Sequence, residues 1–175
     1  MTADHPSEFE RMVRARPFPP ERLAIAATEA ERGALARRFA ISAIEALHAD
    51  LAFTPDGEAV EAVGTLSADL IQACAVSGED FAVHIEEPLA LRFVPQARAV
   101  DPDEEIELPA DEPDEIEFTG DHFDLGEAVA QSLGLAIDPY AVGPGAEAVR
   151  REVGIAVEGE AEGPLADLLR GLKPS

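Results

Sequence analysis

Gly64-Thr-Leu-Ser-Ala-Asp-Leu-Ile-Gln-Ala-Cys-Ala-Val-Ser-Gly-Glu-Asp-Phe-Ala-Val-His-Ile-Glu-Glu-Pro-Leu-Ala-Leu-Arg-Phe93 is the stretch that decides the fold. Leu66, Ala68, Leu70, Gln72, Cys74 and Val76 fall on one side of an extended chain, and Thr65, Ser67 and Asp69 on the other. Ser77-Gly78-Glu79-Asp80 reads as a tight turn. Beyond it Phe81, Val83, Ile85, Leu89, Leu91 and Phe93 alternate over thirteen residues, broken at Glu87. Period-two alternation on both sides of a turn is the pattern of a long antiparallel hairpin with one buried face. The odd-numbered side chains of its second strand are expected in the core. Pro88 lacks an N–H for the ladder, so that strand is expected to be bulged or to lie at a sheet edge there.

Upstream, Glu8 to Val13 and Arg22 to Ala26 read as two short strands around a Pro17-Phe18-Pro19-Pro20 loop. Thr28 with Glu31 three residues on is a capping box, opening a helix through Arg38 that Ala24 or Ile25 and Leu35 can anchor. From Phe39 to Phe53 two periods compete. Leu35, Phe39, Ala43 and Leu47 make a helical stripe, whereas Phe39, Ile41, Ala43, Leu47, Leu51 and Phe53 alternate. Alanine content favours the helix, but periodicity leaves both open. Pro55-Asp56-Gly57 marks a turn.

Downstream, Val100 to Asp114 carries three prolines and eight acids and reads as a loop. Ile116 to Phe118 reads as a short strand. A helix is expected from Asp124 to Ile137, with Leu125, Val129, Leu133 and Ile137 on one face and Pro139 stopping it. Gly143-Pro144-Gly145 is a loop. The organisation expected is one α+β domain over residues 1–150, with an acidic loop near 100–115, followed by a mobile tail over 151–175. That tail ends in a short helix with Pro164 in its first turn and Leu165, Leu168, Leu169 and Leu172 on one face. The fold class is α+β: a mainly antiparallel sheet around the long hairpin, with two or three helices packed on it.

Charge is unevenly placed. The net charge is -23, and between Ala99 and Val149 there is no lysine or arginine at all. That stretch holds Asp101, Asp103, Glu104, Glu105, Glu107, Asp111, Glu112, Asp114, Glu115, Glu117, Asp121, Asp124, Glu127, Asp138 and Glu147. Such a surface repels phosphate and attracts basic partners, which argues for a binding or assembly role before an enzymatic one. Asp101, Asp103, Glu104, Glu105, Glu107, Asp111 and Glu112 are the candidate partner-binding residues. Arg11, Arg14, Arg16, Arg22, Arg32, Arg37 and Arg38 make the N-terminal quarter the basic region. They suit either RNA phosphate or the acids of their own chain.

With 175 residues and 46% apolar side chains, the chain can bury one core. Cys74 is the sole cysteine, so no internal disulfide and no cysteine cluster can form. The N-terminus lacks a basic stretch followed by an apolar run, and no segment approaches the roughly 20 apolar residues of a membrane span. The reading is a soluble cytoplasmic protein with no cofactor. Asp101-x-Asp103-x-Glu105 with Glu112 at position twelve resembles a calcium loop. However, Ile106 stands where that loop needs glycine, and Pro102 and Pro109 intrude. Asp121-His122-x-Asp124 could supply metal ligands, but Asp124 is equally a helix N-cap. His5, His48 and His84 have no companions at ligand spacing. Gly143-Pro-Gly145 lacks the Gly-Lys-Ser/Thr of a phosphate loop, and no serine sits in a nucleophile elbow. Cys74, on the apolar side of its strand, reads as a small buried hydrophobe rather than a nucleophile.

The order of features resembles the YceD family of bacterial proteins, associated with accumulation of large-subunit ribosomal RNA. The resemblance rests on Gly64 to Gly78 with Cys74, the alternation to Phe93-Val94-Pro95, and Phe123-Asp124-Leu125-Gly126-Glu127 running on to Leu133-Gly-Leu135-Ala-Ile-Asp138-Pro139-Tyr140. The closing Pro164-Leu165-Ala166-Asp167-Leu168-Leu169 is similar as well. The opening Glu8-Phe9-x-Arg11 and Thr28-Glu-Ala-Glu-Arg look like the alphaproteobacterial branch. Cys74, Gly78, Asp124, Leu125 and Pro139 are the positions that match the family motif. Members show C-x-x-C at the hairpin, but here Ser77 replaces the second cysteine. Cys74 therefore carries over as a matching position and not as a metal ligand.

The resemblance implies an extended chain from about Ile41. It also implies a non-catalytic role in ribosome biogenesis, and the family's gene often neighbours that of a small large-subunit ribosomal protein. The partner implied is a basic ribosomal protein or a pre-ribosomal particle, with direct RNA contact a separate question. The rival readings are a metal-dependent hydrolase using His122 and nearby acids, and direct RNA binding through the N-terminal arginines.

Overall fold

The computed structural model describes residues 8–96 and 114–152. In chain order the elements are β1 (Met12–Arg14), β2 (Arg22–Ala26), α1 (Glu29–Arg38), β3 (Ala43–Asp56), β4 (Ala59–Ala73), β5 (Asp80–Pro95), β6 (Asp114–Phe118), β7 (His122–Asp124), α2 (Leu125–Ala136) and α3 (Ala146–Glu152). The fold class is α+β. Most of the acidic loop expected near 100–115 and the terminal helix expected at 164–172 lie outside the described residues.

Five strands form one sheet in the order β2-β3-β4-β5-β6, and β1 and β7 form a separate antiparallel ribbon. β2 with β3, and β3 with β4, are antiparallel. Residues 74–79 join β4 to β5, a connection too short for anything but antiparallel neighbours. β6 instead runs parallel to β5, Leu91 opposite Asp114 and Pro95 opposite Phe118. The sheet is therefore mixed at one edge.

The hairpin alternation appears as buried positions. Val60, Ala62, Leu66, Ala68, Leu70 and Gln72 of β4 are buried, as are Ile85, Leu89, Leu91 and Phe93 of β5. Val83 packs partly buried against the same core, whereas Phe81, expected there too, is half-buried and stands outside it. The first strand stops at Ala73, three residues short of the expected Val76, so Cys74 and Val76 belong to the turn. β6 begins opposite Leu91, so at Pro88 β5 has no strand on its outer side among the described residues, which is the edge position a proline tolerates.

The ambiguous stretch from Phe39 to Phe53 ends α1 at Phe39, turns through residues 40–42, and from Ala43 is β3, a strand with a bulge. Ile44 pairs with Leu70 and Ala46 with Asp69, leaving Glu45 as the extra residue. A bulge flips the parity of the residues beyond it. Ile44 is buried before it, and Leu47, Ala49, Leu51 and Phe53 after it, while the expected Ala43 is half-buried.

α1 begins at the capping box as expected. Thr28 Oγ accepts from the Glu31 N–H, and the Glu31 carboxylate accepts from the Thr28 N–H at 2.7 Å. It ends with Ala40 at φ 54. There Ala40 N–H donates to Arg37 O and Ile41 N–H to Ala36 O, the paired closure of a Schellman motif without its usual glycine. The N-terminal strand is shorter and later than expected, Met12–Arg14 instead of Glu8 to Val13.

The core joins the buried sheet face to Leu35 and Ala36 of α1, and to Leu125, Ala128, Val129, Ala130 and Leu133 of α2. Phe123 of β7 lies at its centre. Its ring stacks on Phe93 at 4.0 Å and meets Phe118 and Phe53 in tilted contacts at 5.9 and 6.3 Å. By contacts the chain divides into two compact units, Met1–Gln72 with Ala82–Asp138, and Ala73–Phe81 with Pro139–Ser175. The first holds the sheet, the ribbon, α1 and α2. The second holds the hairpin turn, the Gly143-Pro144-Gly145 loop and α3.

Candidate functional site

Asp124 ends β7 and caps α2. Its Oδ1 accepts from the Glu127 N–H at 3.2 Å, the N-cap interaction, and also from the Arg11 N–H at 2.8 Å. Leu125 N–H returns a bond to Arg11 O at 3.0 Å. One carboxylate thus starts the helix and holds the N-terminal strand. The next position but one needs glycine because a Cβ on Gly126 would sit 1.9 Å from Phe9 O. The Asp124-Leu125-Gly126 sequence is therefore a strand-to-helix clamp, with Leu125 wholly buried beneath it.

Arginines extend this clamp. The Arg11 guanidinium pairs with both Glu31 carboxylate oxygens at 2.7 and 2.9 Å, donates to Ala26 O, and lies 4.6 Å over the Phe9 ring. Its hydrogen bonds are the main cause that holds the Glu31 carboxyl down to about 2, with help from the Thr28 N–H and hydroxyl and against partial desolvation. Arg38 forms a two-pronged pair with Glu127 at 2.7 and 2.9 Å and a further bond to Glu8 at 3.1 Å. Arg16 meets Glu58, and Arg32 donates to Ile44 O and Ala27 O. Arg14 Nε donates to His122 Nε2 at 3.1 Å, while Asp121 faces His122 Nδ1. Both ring nitrogens of His122 are therefore engaged, Nε2 by a guanidinium and Nδ1 by a carboxylate. Asp124, its supposed co-ligand, is the cap. Among the described residues no three histidine, cysteine or acidic side chains converge to hold a metal.

Cys74 is buried in the turn of the second unit. Its Sγ accepts from the N–H groups of Val76 and Ser77, each at 3.4 Å, and of Gly143 at 3.2 Å. The Ser77 hydroxyl and backbone N–H are the leading causes that hold its thiol down to about 6, helped by Gly143 and Val76 and opposed by desolvation. Gly78, at φ +72, makes the turn that closes through Gly78 N–H to Cys74 O. Serine at position 77 therefore does part of what a second donor can do for the sulfur, and the set does not fit a tetrahedral zinc centre, which takes four ligands. The Gly143-Pro144-Gly145 loop supplies the third backbone N–H, a role its sequence does not announce. Pro139 stands just past the end of α2, where Gln72 Nε2 donates to Asp138 O at 3.1 Å.

Among the described residues the sheet face opposite the core is acidic. Asp50, Asp69, Glu86, Glu115 and Glu117 are exposed on it, with Glu61 half-buried. His84 Nδ1 lies 2.7 Å from Asp69 Oδ1. Arg92 is drawn to Asp56 and Glu115. The sequence-derived partner-binding residues Asp101, Asp103, Glu104, Glu105, Glu107, Asp111 and Glu112 all lie outside the described residues. What sequence reasoning missed is the pairing of Arg11 with Asp124 and Glu31, and of Arg38 with Glu127. The capping signals at Thr28 and Asp124 were visible, but nothing local says which distant strand they hold.

These features define a class, an α+β domain whose N-terminal strand is locked to a capped helix beneath an acidic sheet. The particular family comes from comparison: the profile described as "Large ribosomal RNA subunit accumulation protein YceD" matches residues 62–165, more than half of the chain, and the chain belongs to that family. Cys74, Gly78, Asp124, Leu125 and Pro139 fall inside the match, while the N-terminal part of the resemblance precedes it. No curated protein and no solved structure matches the chain significantly. No helix among the described residues is long and apolar enough to cross a membrane.

Proposed function

We propose that this protein is a non-catalytic ribosome-biogenesis factor that supports accumulation of large-subunit ribosomal RNA by holding a basic ribosomal protein on its acidic surface until assembly. The family's name carries the ribosomal part of this reading. The observation that carries the choice of partner is where the charges go. Arg11, Arg14, Arg32 and Arg38 turn donors onto other groups of the fold, while Arg16 pairs with Glu58 at the surface and Arg22 and Arg37 stand exposed; Asp50, Asp69, Glu86 and Glu117 are exposed together on one sheet face. A net charge of -23 then favours a cationic protein over an RNA phosphate backbone.

The test is to titrate purified large-subunit ribosomal proteins and ribosomal RNA separately at two salt concentrations. Binding of a basic ribosomal protein that weakens steeply with salt is expected, because exposed charges are screened over about 10 Å at 0.1 M. Replacing Asp103, Glu104, Glu105 and Glu107 by Asn or Gln is expected to weaken it further. Binding of RNA without any ribosomal protein, or binding indifferent to those four replacements, would refute the reading.

A further inference from the structure

β5 is sixteen residues long, but β6 covers only Leu91 to Pro95 on its outer side. Among the described residues the outer edge from Ala82 to Ala90 has no strand against it. An unpaired edge is a template for another extended chain. Natural sheets blunt such edges with proline and charge, and Pro88 and Glu87 do so here only in part. Alongside the edge runs a groove lined by Glu87, Pro88, Leu89 and Ala90 of β5 and by Leu135 and Ala136 of α2. Its volume of about 170 Å³ is below the several hundred of small-molecule sites and suits one or two side chains. Leu135 on its rim is 84% exposed, the most exposed large apolar side chain described. Glu86 and Glu87 stand exposed beside it.

We infer that this groove takes an extended segment of the basic partner by strand addition to β5. The backbone edge supplies register, as in other peptide sites that extend a sheet. Side chains of the incoming strand alternate. Those turned toward α2 are apolar and cover Leu135 and Ala136, with Glu87 at the border of the groove, and those turned toward the acidic face are lysine or arginine and meet Glu86. The surface thus selects a segment of alternating apolar and basic residues. This rests on the proposed function and says where and how the partner docks.

The test uses the full chain with each purified large-subunit ribosomal protein that binds it. Amide hydrogen exchange is read on β5 between Val83 and Ala90, with and without the partner, and affinity is read for Leu135→Asp and Glu87→Lys. Both positions are exposed, so neither change should disturb folding. Outward-facing amides of β5 are expected to gain protection in the complex, and each substitution to weaken binding at least tenfold. A ribosomal protein that binds with unchanged affinity to both variants and without added protection overturns the groove and leaves the functional reading standing. Amides already protected in the free protein would show the edge filled from within the chain and overturn it as well. If no ribosomal protein binds, the reading fails and the groove with it.

Discussion

Asp124 does two jobs with one oxygen, and that makes it the residue whose loss is easiest to interpret. Asp124→Ala removes the helix cap and the acceptor for the Arg11 N–H, and is expected to cost about 1–2 kcal/mol in urea unfolding. Asp124→Asn, which keeps an acceptor oxygen, should recover most of it; equal losses in the two variants would mean that charge and not capping is what matters. A second consequence concerns acid. The Glu31 carboxyl lies at about 2 in the folded protein against an ordinary value of 4.5. A depressed carboxyl contributes stability that is full above the unfolded value and is lost as pH falls toward the folded one. Stability should therefore decline between pH 4.5 and 2, and Glu31→Gln should flatten that decline; an unchanged acid profile would show that the pair with Arg11 is energetically idle. At this scale the sequence was legible wherever a signal is local. Thr28, Glu31 and Asp124 announce helix starts through their own neighbours. The partner of Asp124 lies 113 positions away, and no spacing rule reaches that far.

Elements show the same division. Alternation from Leu66 to Phe93 reads directly as a hairpin because one face is buried over most of its length, interrupted at the turn and at Glu87. β3 resisted the same reading because the bulge at Glu45 changes the buried parity between Ile44 and Leu47. The parallel placement of β6 was not legible either, since a five-residue strand carries no mark of its partner's direction. Leu91 tests the hairpin itself: 4% exposed and facing the core, it should cost about 2–5 kcal/mol when replaced by alanine. A cost under about 1 kcal/mol would contradict its burial. The end of α1 offers the opposite sign. Ala40 holds a left-handed conformation that a Cβ disfavours by roughly 1–2 kcal/mol, so Ala40→Gly should raise stability by about 1 kcal/mol after glycine's entropy is counted. A destabilised Ala40→Gly protein would show that the Cβ makes contacts worth more than the strain.

On the scale of the whole molecule, 36 acidic residues face 13 lysines and arginines. Self-repulsion of this size opposes the compact state. The thermal midpoint should accordingly rise by a few degrees as salt is raised, even though the ion pairs around Arg11 and Arg38 are weakened by the same screening. A falling midpoint would mean that those pairs outweigh the surplus charge.

The ribbon of β1 and β7 also sets an order of events. β3, β4 and β5 succeed one another through short turns and can pair as soon as Pro95 has been made. β1 has nothing to pair with until Asp124 and Gly126 emerge. At roughly 5–20 residues per second, that leaves the first strand waiting on the order of ten seconds during synthesis. Arg11 and Arg14 are trypsin sites for that interval. Nascent chains stopped before His122 should be clipped there, and chains that extend beyond Ala136 should resist. Every new copy of this protein therefore spends most of its own translation with β1 unprotected, and the ribbon closes late over residues that were made early.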